Sequence, residues 1–459
     1  MKKLISTNPS QNFSKIGGVK VSSSKEISDK VKKAGVMTQK WANTYLKERV
    51  TILKNVYKAL FKRKDEISKL ASTEMGFPIK EQKMFDMGDG FYYFKWYLDN
   101  AIKLLSPEVT FQNNKEAHKI YYEPYGVAAV IQPWNFPFCQ WSWSVVPNLV
   151  AGNTVVFKHS EECPLTGKLL EEIINKTDLP KGVFNEVYGD GKVGEALLEQ
   201  EIDLICFTGS AKVGKKIYKI ASKKFVKVLL ELGGSAPGIV FPDADLEESI
   251  EHIFAVRFTN NGQACDGLKR LIVHPKISND VVELLKRTLE EKKIGNPLDE
   301  NTDFGPLVAK RQQRLVASQV RDAIKKGAKV ITVGKIPRKL KGAYFQPTIL
   351  TNIKRNMRVW KEEVFGPVLP IIPFKSEKEA VELANDTEYG LGGYVYTKDL
   401  EKAQRVSSKL KTGMVSINGT NYVHPFNPFG GYNMSGIGRE HGKHGLQELT
   451  QIKVISSEK

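Results

Sequence analysis

The chain has 459 residues, 41% hydrophobic and 26% charged, which supplies ample apolar surface for packing and excludes a disordered, collagen-like or repetitive protein. That length exceeds one ordinary core, so two or three domains are expected. Lysine and arginine number 69 against 51 acidic residues, a net charge of +18, but they fall in mixed-sign runs such as Lys62-Arg63-Lys64-Asp65-Glu66, which reads as a lysine-coated surface and not as a nucleic-acid stripe.

The first hundred residues read as helical. Val50, Leu53, Val56, Tyr57, Leu60 and Phe61 recur at helical spacing, Gly76-Phe77-Pro78 supplies a stop, and an aromatic-rich stripe runs from Phe85 through Phe94 and Tyr97 to Leu105. Residues 110–122 read as a hairpin. From about residue 120, short apolar runs at 127–131, 154–157, 184–188, 204–207 and 228–230 alternate with helical stretches at 165–175, 193–199 and 213–222. This pattern predicts an α/β fold, a parallel sheet covered on both faces. The alternation resumes after Cys265, through 270–274, 281–288, 328–333, 368–374, 380–385, 394–396, 403–410 and 414–417, so a second α/β unit beyond Gly233-Gly234 is expected, with a cleft between the two. The tail near 450–456 reads as a further strand. The most apolar stretch, 127–157, is broken by Gln132, Asn135, Gln140, Asn148 and Asn153 and therefore reads as core and not as a bilayer helix.

In open parallel sheets ligands collect at the carboxyl ends of strands. Here those ends are followed by Asn135, by Lys158 and Glu161, by Thr208-Gly209-Ser210 and by Glu231. Gly209-Ser210-Ala211-Lys212-Val213-Gly214 precedes a helical run; it is either a tight turn or a pyrophosphate cradle at a positive helix end. Lys158 and Glu161 are either a ribose clamp or a solvated pair.

The four cysteines, Cys139, Cys163, Cys206 and Cys265, are far apart and form no C-x-x-C pair, which argues against a disulfide framework or zinc ribbon and for a reducing cytoplasm. The start, Met1-Lys2-Lys3, turns polar at Ser6-Thr7-Asn8 and shows no signal-peptide apolar core. His441-Gly442-Lys443-His444 has metal-like spacing but no completing ligands, so no metal is expected. Only Cys265 lies in a small-residue turn, Asn260-Asn261-Gly262-Gln263-Ala264-Cys265-Asp266, and with Glu231 it makes a candidate nucleophile and base. Residue context alone leaves a structural role for Cys265 equally open.

Seven ordered stretches together resemble the NAD(P)-dependent aldehyde dehydrogenase superfamily over essentially the whole chain. They are Pro133-Trp134-Asn135-Phe136-Pro137, Ala151-Gly152-Asn153-Thr154 leading to Lys158, Phe207-Thr208-Gly209-Ser210, Leu230-Glu231-Leu232-Gly233-Gly234, Gly262-Gln263-Ala264-Cys265, Glu362-Glu363-Val364-Phe365-Gly366-Pro367, and Pro428-Phe429-Gly430-Gly431-Tyr432 with Ser435-Gly436. The resemblance implies two Rossmann-like parallel-sheet domains and a small β oligomerisation element. Residues 1–105 and 126–232 would bind the cofactor, 233–434 would carry catalysis, and 106–125 with 435–459 would join a homodimer or homotetramer.

It also implies roles. Cys265 attacks the aldehyde, the Asn135 amide and the Cys265 N–H hold the oxyanion, and Glu231 activates the water that hydrolyses the thioester. Trp134, Lys158, Glu161, Gly209, Ser210, Gly214, Glu363 and Phe365 hold NAD or NADP; a carboxylate at Glu161 repels a 2′-phosphate, so NAD is favoured. Phe136, Trp143 and Phe429 form the substrate pocket. A small aldehyde or semialdehyde is expected, such as succinic semialdehyde or glyceraldehyde, although Trp143 and Thr259 stand where semialdehyde enzymes bring an arginine. Ser144 stands where many relatives carry a proton-relay lysine, leaving Glu440 or water for that task. The alternatives are a CoA-acylating relative and a non-catalytic binding or structural protein of the same fold. Nucleic acid and membrane are not expected partners.

Overall fold

A computed structural model describes residues 2–459. Two parallel-rich sheets dominate it. The first has six strands in the order Gly436–Ile437, Lys227–Glu231, Leu204–Thr208, Val127–Ile131, Thr154–Lys158 and Phe184–Glu186, all parallel except the short antiparallel edge Gly436–Ile437. Its central strands are buried along their whole length, as continuous apolar runs require when helices cover both faces. Helix Pro137–Ala151 is buried on almost every side and packs against Asp89–Leu105, so the broken apolar stretch is core.

The second sheet has seven strands in the order Lys329–Thr332, Thr348–Thr351, Val368–Pro373, Leu268–Val273, Ala236–Val240, Tyr394–Tyr396 and Ser416–Ile417; only the exposed edge strand Lys329–Thr332 runs antiparallel. Its interior strand Ala236–Val240 was not expected from sequence. Pro237 and Gly238 hide the β pattern there, and Gly238 is required because a Cβ would run into Leu268. Residues 3–20, expected to be helical, instead form the hairpin Lys3–Asn8 with Ser14–Lys20.

A separate antiparallel sheet joins Glu108–Gln112, Glu116–Pro124 and Thr450–Glu458. The expected hairpin and C-terminal strand are therefore present. The segment 435–459, expected to act with 106–125 as one element, divides between sheets, because Gly436–Ile437 pairs with Lys227–Glu231. Among the described residues no helix is long and apolar enough to cross a membrane.

Candidate active site

Register puts the first group of site residues side by side. Ile131 pairs with Lys158 and Phe207, and Thr208 pairs with Glu231, so four parallel strands release their loops at one edge. A cavity of 600 Å³ lies there, lined by Trp134, Lys158, Glu161, Gly209, Ser210 and Arg311 among others. Burial lowers the pKa of Lys158, opposed by the charge of Glu161, and its Nζ donates to His159 O at 3.1 Å. Ser210 caps helix Ala211–Lys224, its hydroxyl accepting from Val213 N at 3.4 Å, which brings the positive helix end to the cavity. Gly214 is the exception among the expected cofactor residues. It lies off the cavity and serves close packing, since a Cβ there would come within 2.6 Å of Leu232.

A second cavity of 250 Å³ shares Pro133, Trp134, Thr208, Gly209 and Ser210 with the first and reaches Asn135, Cys265, Glu363 and Phe365. The buried Thr208 hydroxyl has no partner among the described residues. A long two-part groove, a buried ammonium near a carboxylate at one end and an orphaned hydroxyl midway fit a dinucleotide. Phe365 stands edge-on to Trp134 at 5.7 Å between centroids. The loop that carries it is held by Gln312 Nε2 on Phe365 O at 2.8 Å, Gln319 Nε2 on Glu363 O at 3.0 Å, and buried Arg257 Nε on Val368 O at 3.0 Å.

The turn that carries Cys265 is built differently. After helix Leu246–Phe258 the chain makes a tight turn in which Asn260 (φ 50°) and Asn261 (φ 54°) adopt left-handed backbone, which asparagine tolerates better than other non-glycine residues. Each is tied down. Asn260 N donates to Glu81 Oε2 at 2.9 Å, Asn260 Nδ2 to Asn135 O at 2.7 Å, and Asn261 Nδ2 to Pro306 O at 3.1 Å. Gln263 donates to Asn260 O at 3.1 Å and accepts from Val308 N at 3.1 Å. Burial raises the pKa of Glu81 to about 7.

This turn presents Cys265, partly exposed, whereas Cys139, Cys163 and Cys206 are buried and also free. Burial pushes the Cys265 thiol well up, with Asp266 adding to the effect and Lys269 opposing it. Asn135 faces the same cavity. Its Nδ2 donates to Gln263 O at 3.0 Å and its Oδ1 accepts from Gln140 Nε2 at 3.2 Å, which fixes the amide with its nitrogen toward the nucleophile segment. The adjoining helix start is held by buried Asp86, which accepts from Phe138 N at 3.1 Å and Cys139 N at 2.8 Å.

Glu231 makes no hydrogen bond to the thiol, although its charge is felt there. It is buried, and both its carboxyl oxygens lack a partner among the described residues; the side chain lies beside Gly430, where a Cβ would come within 2.7 Å of Oε1. Burial pushes its pKa well up, the nearby Glu440 adds to this, and Arg439 opposes it. Glu440, raised to about 7 by burial, lines a small cleft with Tyr97, Ser144 and His441. Ser144 donates to Gln140 O at 2.8 Å.

On the other side of Cys265 lies a cavity of 390 Å³ with Phe85, Phe136, Trp143, Tyr394 and Tyr422 in its walls. Phe429 does not line it. It is buried behind Trp143, 5.5 Å between centroids, in a small cluster against which Cys265 packs. The charged wall residues are Asp89, whose pKa burial raises to about 6, and Asp266; among the described residues no lysine or arginine lines this cavity. Sequence reasoning did not single out Asp89, Glu81 or Lys269. Lys269 alone carried a local signal, a lysine inside the apolar strand Leu268–Val273.

The chain matches the family model described as "Aldehyde dehydrogenase family" over residues 2–455. It is 40% identical to betaine aldehyde dehydrogenase of Bacillus subtilis (strain 168), over 90% of this chain and 86% of that protein. It is 35% identical to succinate-semialdehyde dehydrogenase [NADP(+)] GabD of Escherichia coli (strain K12), over 98% of this chain and 93% of that protein. Among solved structures it is similar to betaine aldehyde dehydrogenase from Staphylococcus aureus in complex with NAD+, with a TM-score of 0.94, 33% identity, and coverage of 99% of this chain and 91% of the other.

Proposed function

The chain belongs to the aldehyde dehydrogenase family, and on that premise we propose that it oxidises an aldehyde to a carboxylate through a covalent intermediate on Cys265. The observation that carries this is the position of Cys265. It is the one cysteine not buried, and it lines both the cavity that suits a dinucleotide and the aromatic cavity that suits an aldehyde.

The thiolate of Cys265 adds to the carbonyl carbon, and the Asn135 amide and Cys265 N–H hold the resulting oxyanion. NAD or NADP, when bound, supplies the acceptor for the hydride that leaves this carbon, so a thioester remains on Cys265. Lys158 and Glu161 would hold the adenosine end, Gly209 and Ser210 the pyrophosphate, and Glu363 and Phe365 the nicotinamide end. Glu231 then takes a proton from the attacking water, which expels the Cys265 thiolate and releases the carboxylate. That role requires Glu231 to leave the side of Gly430, lose its proton and reach the thioester.

The carboxylate of Glu161 favours NAD through repulsion of a 2′-phosphate, while Lys158 keeps NADP admissible. Relatives named for both cofactors match this chain. The substrate is a small aldehyde. With Asp89 and Asp266 in the wall, the far end of glyceraldehyde fits better than the carboxylate of succinic semialdehyde. The same two carboxyls favour a second reading, an aldehyde with a cationic far end. Relatives named for betaine aldehyde and for succinate semialdehyde stand at comparable identity, so wall charge and not kinship separates them.

Replacing Cys265 by Ser is expected to abolish aldehyde-dependent formation of NADH or NADPH; retained turnover would sink the reading. A panel of neutral, anionic and cationic aldehydes assayed with both cofactors ranks the substrates, and a rate independent of coenzyme A dismisses the acylating alternative. The three-stranded sheet, with Thr450–Glu458 as its exposed edge, is the surface on which we place a homodimer or homotetramer contact. Four free cysteines favour a cytoplasmic setting.

A further inference from the structure

Lys269 is the second residue of strand Leu268–Val273, with its side chain only 1% exposed. Its ammonium has three protons and three acceptors: Glu363 Oε1 at 2.7 Å, Cys265 O at 2.7 Å and Gly234 O at 2.9 Å. The next residue, Arg270, is equally buried, yet it donates to the backbone carbonyls of Ser235, Leu383 and Ala384, all remote from both cavities' chemistry. Lys269 instead joins the nucleophile residue, the link between the two sheets and the loop that bears Phe365, whose ring lies 5.3 Å from Nζ.

Glu363 is correspondingly fixed. Its Oε1 is used twice, by Lys269 and by Gly234 N at 3.1 Å, while Oε2 lies against Gly233, where a Cβ would collide with it. One oxygen is thus anchored and the other is left to accept from a ligand hydroxyl.

We infer that Lys269 is a positioning residue that ties the cofactor-facing carboxylate Glu363 to the backbone of Cys265, so that one buried ammonium sets the geometry at the cofactor and at the nucleophile together. This rests on the reading of Cys265 as nucleophile and Glu363 as ribose ligand. A buried ion that lost one of these acceptors would have no solvent to replace it, so the three contacts hold or fail as a unit. The electrostatics make the arrangement measurable. Around the Cys265 thiol, Asp266, Glu363 and Glu231 oppose ionisation and Lys269 favours it, while Cys139, Tyr394 and Tyr422 are further titratable neighbours and Asp89 and His252 line the same cavity. Removing the charge of Lys269 and removing that of Glu363 therefore move the thiol in opposite directions.

The test uses the full chain and two readouts that need no turnover: NADH affinity by fluorescence titration, and the pH midpoint of iodoacetamide alkylation of Cys265, with Cys265→Ser as the blank. Lys269→Met, which keeps length and removes charge and donors, is expected to weaken NADH binding about tenfold, the scale of one lost charge-assisted hydrogen bond, and to raise the alkylation midpoint. Glu363→Gln is expected to weaken NADH binding comparably and to lower the midpoint. A purely structural role would move both midpoints alike or neither. Native affinity and a native midpoint in Lys269→Met overturn the proposal, and so do two midpoints that move in the same direction. If Lys269→Met does not fold, Glu363→Gln decides alone, because it keeps an acceptor for Lys269, and an unmoved midpoint overturns the proposal. Retained turnover in Cys265→Ser would instead defeat the catalytic reading, which keeps the two failures apart.

Discussion

Along the six-stranded sheet, Lys158, Thr208 and Glu231 emerge side by side because parallel strands end in register; across the cleft, Cys265 sits on a turn that no strand dictates and that side chains from several distant segments must hold. The first region is positioned by the sheet itself, so a single side chain can change there with the frame intact. The second depends on a polar network under backbone strain, so loss of one member propagates to the nucleophile. Substitutions at the strand ends should consequently change chemistry or selectivity with little effect on folding, and substitutions in the turn should change both.

Glu231→Gln has the largest expected effect and tests the first half of that contrast. Loss of a general base slows deacylation by about 10²- to 10⁴-fold while acylation survives, so rapid mixing should show a burst of reduced cofactor without steady turnover, in a protein that melts normally. In the native enzyme the steady rate should climb with pH through the raised pKa of Glu231. Glu440→Gln removes a like-charged neighbour and should bring that climb to lower pH; an unmoved profile means the two carboxyls are not coupled.

Asn135→Ala comes next. Loss of one oxyanion donor costs about 10²- to 10³-fold in kcat. Because the Asn135 side chain also donates to Gln263 O in the turn and accepts from Gln140 Nε2, a small fall in melting temperature should accompany it, which a pure strand-end residue would not show. Asn260→Ala tests the second region directly. Left-handed backbone without a tolerant side chain, together with a lost hydrogen bond, should cost about 2 kcal/mol in denaturant unfolding and lower kcat, although Asn260 is assigned no chemical step. Full activity there would dissolve the contrast. Smallest is Glu161→Gln, expected to shift the NADP-to-NAD ratio of kcat/KM by about tenfold toward NADP with no change in stability.

The two regions also differ in how much of them was legible. Apolar runs between helical stretches disclosed the first sheet, and the polar residue after each run disclosed its ligand edge, because both signals are local. Cys265 was visible in its small-residue turn. The supports of that turn were not: Glu81 is 179 residues from Asn260, and nothing around Glu81 announces a buried acceptor. Ala236–Val240 was hidden by Pro237 and Gly238 in its own pattern, although it lies between Leu268–Val273 and Tyr394–Tyr396 inside the second sheet. Glu231 was found as a residue, but its place beside Gly430 depends on a distant segment that no local signal around Glu231 reports. Phe429 and Gly214 were assigned to ligand surfaces, and sequence carried no sign that Phe429 clusters with Leu391 and Met414 or that Gly214 packs against Leu232.

Cys265 borders two cavities. On the proposed reading the thiol would have two doors, one for each visitor. A small electrophile arriving by the aromatic door should still alkylate Cys265 when the opposite chamber is filled, so saturating cofactor should protect the enzyme from inactivation only in part, whereas a slow aldehyde should compete with the electrophile outright.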